Sequence, residues 1–156
     1  MIVAVAKKMT FLSVASSSKK VGIALACASG AEEITTAIAK SLASRGVTNV
    51  VISLVENATI LPYLAKQMTE KCDVVLAVGV LPAESNNLCG VLSQALIEVG
   101  LVSNCPIVPA MIAPSSLLEL KASLAHSAPT WSSSVVSLLT LGIVAPVDIS
   151  EYQVKE

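Results

Sequence analysis

From Val21 onward, the sequence alternates short apolar runs with longer stretches of helical periodicity, and it does so four times. Each run is hydrophobic on both faces, as expected of strands in a parallel sheet that is covered by helices on two sides. This alternation predicts an α/β fold: a three-layer α/β/α sandwich with a four-stranded parallel sheet of flavodoxin-like order. We expect all four runs to be central strands. They span Val21–Ala26, Val50–Val55, Val74–Val80 and Ile107–Ile112.

The spacing of apolar residues between and after these runs predicts helices. In the third helical stretch, apolar residues recur at steps of three and four, which predicts a single stripe facing the sheet. That stripe comprises Leu88, Val91, Leu92, Ala95, Leu96 and Val99. Pro114 precedes a predicted fourth helix, since a proline is tolerated in a first turn. Residues 132–142 predict a fifth helix, whose apolar side chains spread over more than one face and so indicate burial against a second subunit.

The composition favours a single domain with an unusually apolar surface. Of 156 residues, 54% are hydrophobic and only 13% are charged, which excludes intrinsic disorder. Ten basic and eleven acidic residues provide no basic footprint for a nucleic-acid partner. So few charges cover the surface thinly, and we therefore expect part of it to be buried against other subunits. Prolines interrupt the longest uncharged stretch, so no membrane insertion is expected.

The chain is predicted to have an N-terminal arm or strand over residues 1–20, one domain over residues 21–144 and a tail over residues 145–156. The arm is rich in lysine and serine and has no acid before Glu32. This pattern fits either a mitochondrial targeting segment or an ordinary strand, so the expected location is cytoplasmic or mitochondrial. The four cysteines lack metal-ligand spacing, which predicts reduced thiols and no metal site.

In an open parallel sheet, ligands bind beyond the carboxyl ends of the strands, so a site is expected after Ala26, Val55, Val80 and Ile112. The loop that contains Ala28 and Ser29 leads into a helix whose free N–H groups are suited to an anion. No dinucleotide fingerprint and no catalytic triad accompany it.

Several segments resemble the lumazine synthases. Residues 55–66, reading VENATILPYLAK, resemble that family's V-P-G-A-F-E-[IL]-P-L-A-A-K segment. Residues 72–80, reading CDVVLAVGV, resemble its Y-D-A-V-I-A-L-G strand, and residues 105–108 resemble its V-P-V-I strand. Residues 21–23 resemble its first core strand, and the order of elements agrees over residues 21–142. Archaeal riboflavin synthases, which have a similarly short third-strand loop, are a weaker match.

The resemblance implies pentamers with sites between subunits. It also implies condensation of a ribitylamino-pyrimidinedione with a four-carbon ketose phosphate in riboflavin biosynthesis, with no metal and no cofactor. The family's substrate-binding positions correspond here to Ala28, Ser29, Asn57, Ala58, Thr59, Ile60, Ser123 and Trp131.

At these positions the family's functional groups are replaced. Its phenylalanine–glutamate pair becomes Thr59 and Ile60, and its loop histidine corresponds to Glu84 or Leu88. Its phosphate-binding arginine aligns near Ser123. We therefore expect a pseudoenzyme scaffold, a homo-oligomer of five or more subunits or a component of a larger heteromeric complex.

Two alternatives stay open. The first is an active 6,7-dimethyl-8-ribityllumazine synthase with a divergent site, for which the candidate catalytic residues are Glu84, Lys121 and His126. The simplest role of His126, the only histidine, is to end a helix, where the dipole favours a cation. The second alternative is a carrier that binds a flavin or lumazine without turnover. The chain has few aromatic residues to stack on such a ring system.

Overall fold

The computed structural model describes residues 19–141. The predicted tail of residues 145–156 and nearly all of the predicted N-terminal arm lie outside the described residues. Four strands form one all-parallel sheet in the order β2-β1-β3-β4. The strands are β1 (Val21–Ala26), β2 (Val50–Val55), β3 (Val74–Val80) and β4 (Ile107–Ile112). The predicted strand bounds and the flavodoxin-like order are confirmed.

Four helices form the two outer layers of the sandwich. They are α1 (Ala31–Ala43), α2 (Leu61–Thr69), α3 (Leu88–Ser103) and α4 (Leu117–Leu139). Short 3-10 turns precede α2 and α3 at Ala58–Ile60 and Ala83–Ser85. Helices α1 and α4 cover one face of the sheet, and α2 and α3 cover the other. Among the described helices, none is both long enough and apolar enough to cross a membrane.

The two faces of the sheet differ in side-chain size, which sets how closely the helices approach. Large residues such as Ile23 and Leu76 point toward α1 and α4, where they pack against a cluster that includes Ile38. The opposite face carries Ala24 and Ala77 under α2 and α3. Small residues let helices approach the sheet closely. Helix α2 consequently lies directly over β1 and β3.

The expectation that all four strands are central is wrong for β2 and β4, which form the two edges of the sheet. Strand β4 is nonetheless buried, because α3 and α4 pack on it from both faces. Strand β2 is largely exposed, because among the described residues no helix packs extensively on it from either face. The apolar sequence of β2 predicts apolar neighbours on both faces of the strand. Among the described residues of one chain, part of these neighbours is missing.

The predicted fourth and fifth helices are a single helix, α4, which contains Pro129. A proline inside a helix removes one backbone hydrogen bond at a cost of about 3 kcal/mol, so the sequence indicated a break. The helix continues through Pro129 while it packs against α1, and Ser41 Oγ donates to the neighbouring carbonyl of Ala128 at 3.4 Å. Val135 and Leu139 are buried inside this chain, so the core of the subunit itself accounts for part of the apolar spread.

The predicted stripe of α3 is confirmed for Leu92 and Leu96, which are buried against the sheet. It is wrong for Leu88 and Val91, which are exposed. Gly100 completes the buried face instead, where a Cβ would lie 3.1 Å from the backbone nitrogen of Ile107. The stripe is narrower than predicted because α3 contacts mainly the single strand β4.

Candidate functional site

A pocket of about 310 Å³ lies at the carboxyl ends of the strands, where the sheet topology predicts a site. Three loops contribute to it: the loop after β1, the loop after β3 and the segment that joins β4 to α4. Its lining consists of Ala28, Ser29, Val80, Leu81, Pro82, Pro114, Ser115, Ser116, Leu117 and Leu120. The lining is hydrophobic, with serine hydroxyls as its polar side-chain groups.

The loop after β1 owes its shape to Gly30, which adopts a left-handed conformation with φ of 84°. A Cβ at this position would lie 2.8 Å from Cδ2 of Leu120, so the loop presses directly on α4. The backbone N–H of Cys27 donates to the carbonyl of Val55 at 3.1 Å and anchors the loop to β2. Ala28 and Ser29 are thereby held at the pocket wall, exposed to solvent.

The first turn of α1 meets the anion-binding prediction only in part. The N-cap residue of α1 is Gly30, which has no side chain. The backbone N–H groups of the first turn therefore receive no hydrogen bond acceptor from an N-cap side chain. Glu32 and Glu33 lie in the same turn, however, and both are exposed. Their carboxylates already interact favourably with the helix dipole and would repel an anionic ligand.

The first turn of α4 is closed by its own side chains in a capping box. Ser116 Oγ accepts a hydrogen bond from the N–H of Glu119 at 3.1 Å. Oε2 of Glu119 accepts from the backbone N–H of Ser115 at 3.0 Å and from the Ser115 hydroxyl. These hydrogen bonds lower the pKa of Glu119 from its ordinary value. A carboxylate of the chain thus occupies the place where this helix would hold an external anion.

The residues after β2 stabilise a turn and do not line the pocket. Oδ1 of Asn57 accepts from the N–H of Thr59 at 3.0 Å and from Thr59 Oγ1 at 2.9 Å. Asn57 therefore caps the 3-10 turn that Ala58 begins. Ala58 is buried against the α2 side of the core, and Ile60 is exposed. Of the residues that the resemblance to lumazine synthases marked as substrate-binding in this segment, Asn57 and Thr59 thus hydrogen-bond to each other.

The remaining predicted residues also lie outside the pocket lining. Glu84 is exposed in the turn after β3, and Lys121 and His126 are exposed on α4. Ser123 is half-buried, and Trp131 packs against the core between α1 and α4. His126 lies in the interior of α4 and not at a helix end as predicted, because α4 continues through Pro129.

Of the predicted site residues, only Ala28 and Ser29 line the pocket. The sequence analysis missed the contribution of Ser115 and Ser116. A detectable signal was present, since serine followed three residues later by glutamate ahead of an apolar run is the signature of a capping box. That signature places the start of α4, and therefore the third wall of the pocket.

Among residues 19–141, no ionisable group lines the pocket, so these residues offer it no side chain for proton transfer or for neutralising a phosphate. Within residues 19–141, no group of three or more His, Cys, Asp or Glu residues is arranged to hold a metal ion. Burial raises the pKa of Cys27, Cys72 and Cys105, to about 11 for Cys105, so these thiols stay protonated. The described lining of the pocket is therefore neutral and mostly hydrophobic.

No protein-family model matches the chain, and no curated protein is significantly similar to it.

Proposed function

We propose that this protein is a lumazine-synthase-like homo-oligomer that lacks the catalysis of that family and serves as a structural or assembly component. The observation that carries the proposal is the uncovered edge strand β2. Three large apolar side chains of this strand are exposed: Val51 to 39%, Ile52 to 46% and Leu54 to 55%. An exposed apolar edge strand promotes association with another chain.

The backbone of β2 supports the same interpretation. The N–H of Val21 donates to the carbonyl of Asn49, and the N–H of Cys27 donates to that of Val55. Along a strand, the N–H and C=O groups of successive residues point to opposite sides. Those of Val50, Ile52 and Leu54 therefore point away from β1. Within residues 19–141, no strand pairs with that side. Strand β2 also lacks the charged residues and prolines that commonly protect an edge.

The exposed surface extends beyond the strand. Ile60 and Tyr63 follow β2 along the chain, at the start of α2, and both are exposed. Tyrosine is enriched at protein interfaces, where its ring packs and its hydroxyl stays solvated. A second subunit on this side would bury apolar residues that the sparse charge of the chain leaves in water.

The uncharged pocket supports the absence of catalysis. Among the described residues, no ionisable side chain of the subunit lines its pocket. Glu84, Lys121 and His126, the candidates for an active enzyme, all lie outside the pocket lining. Each oxyanion or phosphate contact that an enzyme loses costs on the order of 10²-fold in rate.

The first experiment measures assembly by native mass spectrometry and sedimentation velocity at micromolar concentration. We expect the wild-type protein to be oligomeric, with a pentamer as the family-like outcome. Ile52→Lys places a charge on the β2 edge and is expected to weaken assembly by at least about tenfold. Leu118→Lys, at an exposed position of α4, is the matched control and leaves assembly unchanged. A monomeric wild-type protein would overturn the proposal, as would an Ile52→Lys oligomer of unchanged affinity.

The second experiment tests the pseudoenzyme. The protein is incubated with the ribitylamino-pyrimidinedione and the ketose phosphate, and the absorbance of the lumazine product is followed. We expect no formation above the spontaneous rate. Faster formation that Lys121→Ala abolishes would establish the alternative of an active synthase.

A further inference from the structure

We propose that an apolar groove along the outer edge of β4 is the docking surface for the chain's own C-terminal residues 143–147. The groove has a volume of about 420 Å³ and lies at the opposite edge of the sheet from β2. The proposal is therefore independent of assembly through β2. Its lining comes from the end of α3, the start of β4 and the end of α4: Ile97, Gly100, Leu101, Asn104, Cys105, Pro106, Ile107, Leu138 and Leu141.

The groove lies between the end of α3 and the end of α4, beside the start of β4. Gly100 brings α3 against the backbone of β4 on one face, with Cys105 O 3.2 Å from the position of a Cβ. On the other face, α4 packs on β3 and β4 and ends at Leu139. The space between the two helix ends is open to solvent.

The walls of the groove are too apolar for a surface that stays in water. No charged side chain of the described residues contributes to the lining. Leu101 is 77% exposed and Leu141 is 71% exposed, and Ile97 beside them is also exposed. Covering such side chains is favourable by about 25 cal/mol for each Å² of apolar surface removed from water.

The sequence that follows Leu141 has the chemistry to cover the groove. Leu141 itself lines the groove, and Gly142 is the only residue between it and the segment 143–147. That segment reads Ile-Val-Ala-Pro-Val and carries no charge, and the first charged residue after it is Asp148. Five extended residues span about 17 Å, which is enough to run along a groove built from three element ends. Pro146 disfavours continuation of α4 and favours an extended course.

The contact we infer is between side chains, because the edge of β4 is poorly suited to strand pairing. The carbonyls of Pro106 and Ile112 accept hydrogen bonds from β3, so Ile107, Pro109 and Met111 are the residues that face outward. Pro109 has no N–H to offer an added strand. Docking by apolar side chains needs no such donor.

The N-terminal segment is the main competitor for this groove. Nζ of Lys19 donates to the carbonyl of Leu139 at 3.1 Å, so residues 1–18 leave the domain near the same corner. Their apolar run over residues 1–6 is separated from Lys19 by twelve residues. The C-terminal segment is joined to the groove wall at Leu141 through Gly142 alone, so its docking would close a much shorter loop at a lower entropy cost.

The test is hydrogen–deuterium exchange of the full-length protein. Ile143→Asp places a charge in the docking segment, and Val154→Asp places the same charge farther along the tail as a matched control. We expect amides of residues 97–107 to exchange on the order of tenfold faster in Ile143→Asp than in the wild type, because the segment no longer covers them. Val154→Asp is expected to match the wild type. Leu101→Asp, made from the groove side, accelerates exchange of residues 143–147.

Three results would overturn the proposal. The first is unchanged exchange of residues 97–107 in an Ile143→Asp protein that retains its wild-type circular dichroism. The second is protection of the groove that disappears on dilution, which would identify a second copy as the occupant. The third is loss of protection in Val3→Asp but not in Ile143→Asp, which would assign the groove to the N-terminal run.

Discussion

The two edge strands of the sheet are equally apolar, yet they lie in opposite surroundings. Strand β4 is packed between α3 and α4, and its Ile107 is only 7% exposed. Among the described residues, no helix packs extensively on β2 from either face, and its Ile52, which pairs with Ile23 and so lies on the α1 and α4 face, is 46% exposed. The difference arises from helix placement: α3 and α4 reach β4, whereas α2 lies over β1 and β3 and neither helical layer extends over β2. Within one subunit, an edge strand is completed only where a helix reaches it.

The two strands also differ in how they protect their outer backbone. Strand β4 carries Pro109 at an outward-facing position, and β2 has no equivalent. Proline at an edge is a common protection against unwanted pairing. Helices cover both faces of β4, and Pro109 protects its outer backbone. Strand β2 has neither form of protection.

The largest expected effect compares the same truncation on both edges. Ile107→Ala is expected to destabilise the subunit by about 3 kcal/mol, because it removes buried methyl groups and leaves a cavity. Ile52→Ala is expected to cost less than about 1 kcal/mol, because its side chain is half in solvent. Urea denaturation at concentrations low enough to keep the subunit monomeric measures both.

Equal costs in the two variants would contradict the contrast between the edges. Raising the protein concentration provides a second comparison. The wild type then gains stability from assembly, so the loss of stability caused by Ile52→Ala is expected to increase.

An intermediate effect is expected where α3 seals the β4 side. Gly100→Ala forces a methyl group against the backbone nitrogen of Ile107, which cannot rotate away, and is expected to destabilise by about 1–3 kcal/mol. Gly90→Ala in the same helix meets no atom within 4 Å and is expected to be neutral, or stabilising by up to about 1 kcal/mol. Thermal unfolding of the two variants provides the comparison. A Gly100→Ala protein as stable as Gly90→Ala would show that α3 does not press on β4.

The smallest expected effect concerns the start of α4, the other helix that covers β4. Ser116→Ala removes the N-cap and is expected to cost about 1 kcal/mol. The pKa of Glu119 is lowered in the folded protein, so its hydrogen bonds with Ser115 contribute stability above its unfolded-state pKa. That contribution is lost as pH falls through the lowered folded-state pKa.

Glu119→Ala therefore serves as the pH-dependent comparison. It is expected to reduce stability at neutral pH and to lose its effect well below the ordinary Glu pKa of about 4.3. Denaturation at both pH values measures the change. An effect of the same size at low pH would show that the carboxylate is not responsible.

The sequence was sufficient for the strands because their residues are apolar over their whole length and are bounded by polar turns. It could not distinguish a covered edge from an open one, because Ile52 and Ile107 have the same side chain and differ only in which helix lies above. It also predicted a break at Pro129, where the structure has a continuous helix. The packing of α4 against α1 around this proline joins residues far apart in the chain, which the local pattern does not contain.

The candidate site was predictable in position but not in composition. Topology alone places a pocket beyond the carboxyl ends of β1 and β3, and Ala28 and Ser29 lie there. The resemblance to lumazine synthases added the turn after β2 to the predicted site. In the structure, Asn57 accepts two hydrogen bonds from Thr59 within that turn, and neither residue lines the pocket. Whether two neighbouring polar side chains hydrogen-bond to each other or to a ligand depends on their geometry, which their spacing in the sequence does not determine.

The hydrogen bond between Lys19 and Leu139 brings together residues 120 positions apart. The beginning of β1 and the end of α4 are therefore neighbours in space, and a few glycines would bridge them. A circular permutant closed at this corner and reopened in an exposed turn, such as the one around Glu84, would preserve every strand pairing of the sheet. The fold is thus expected to tolerate a different order of its strands and helices along the sequence.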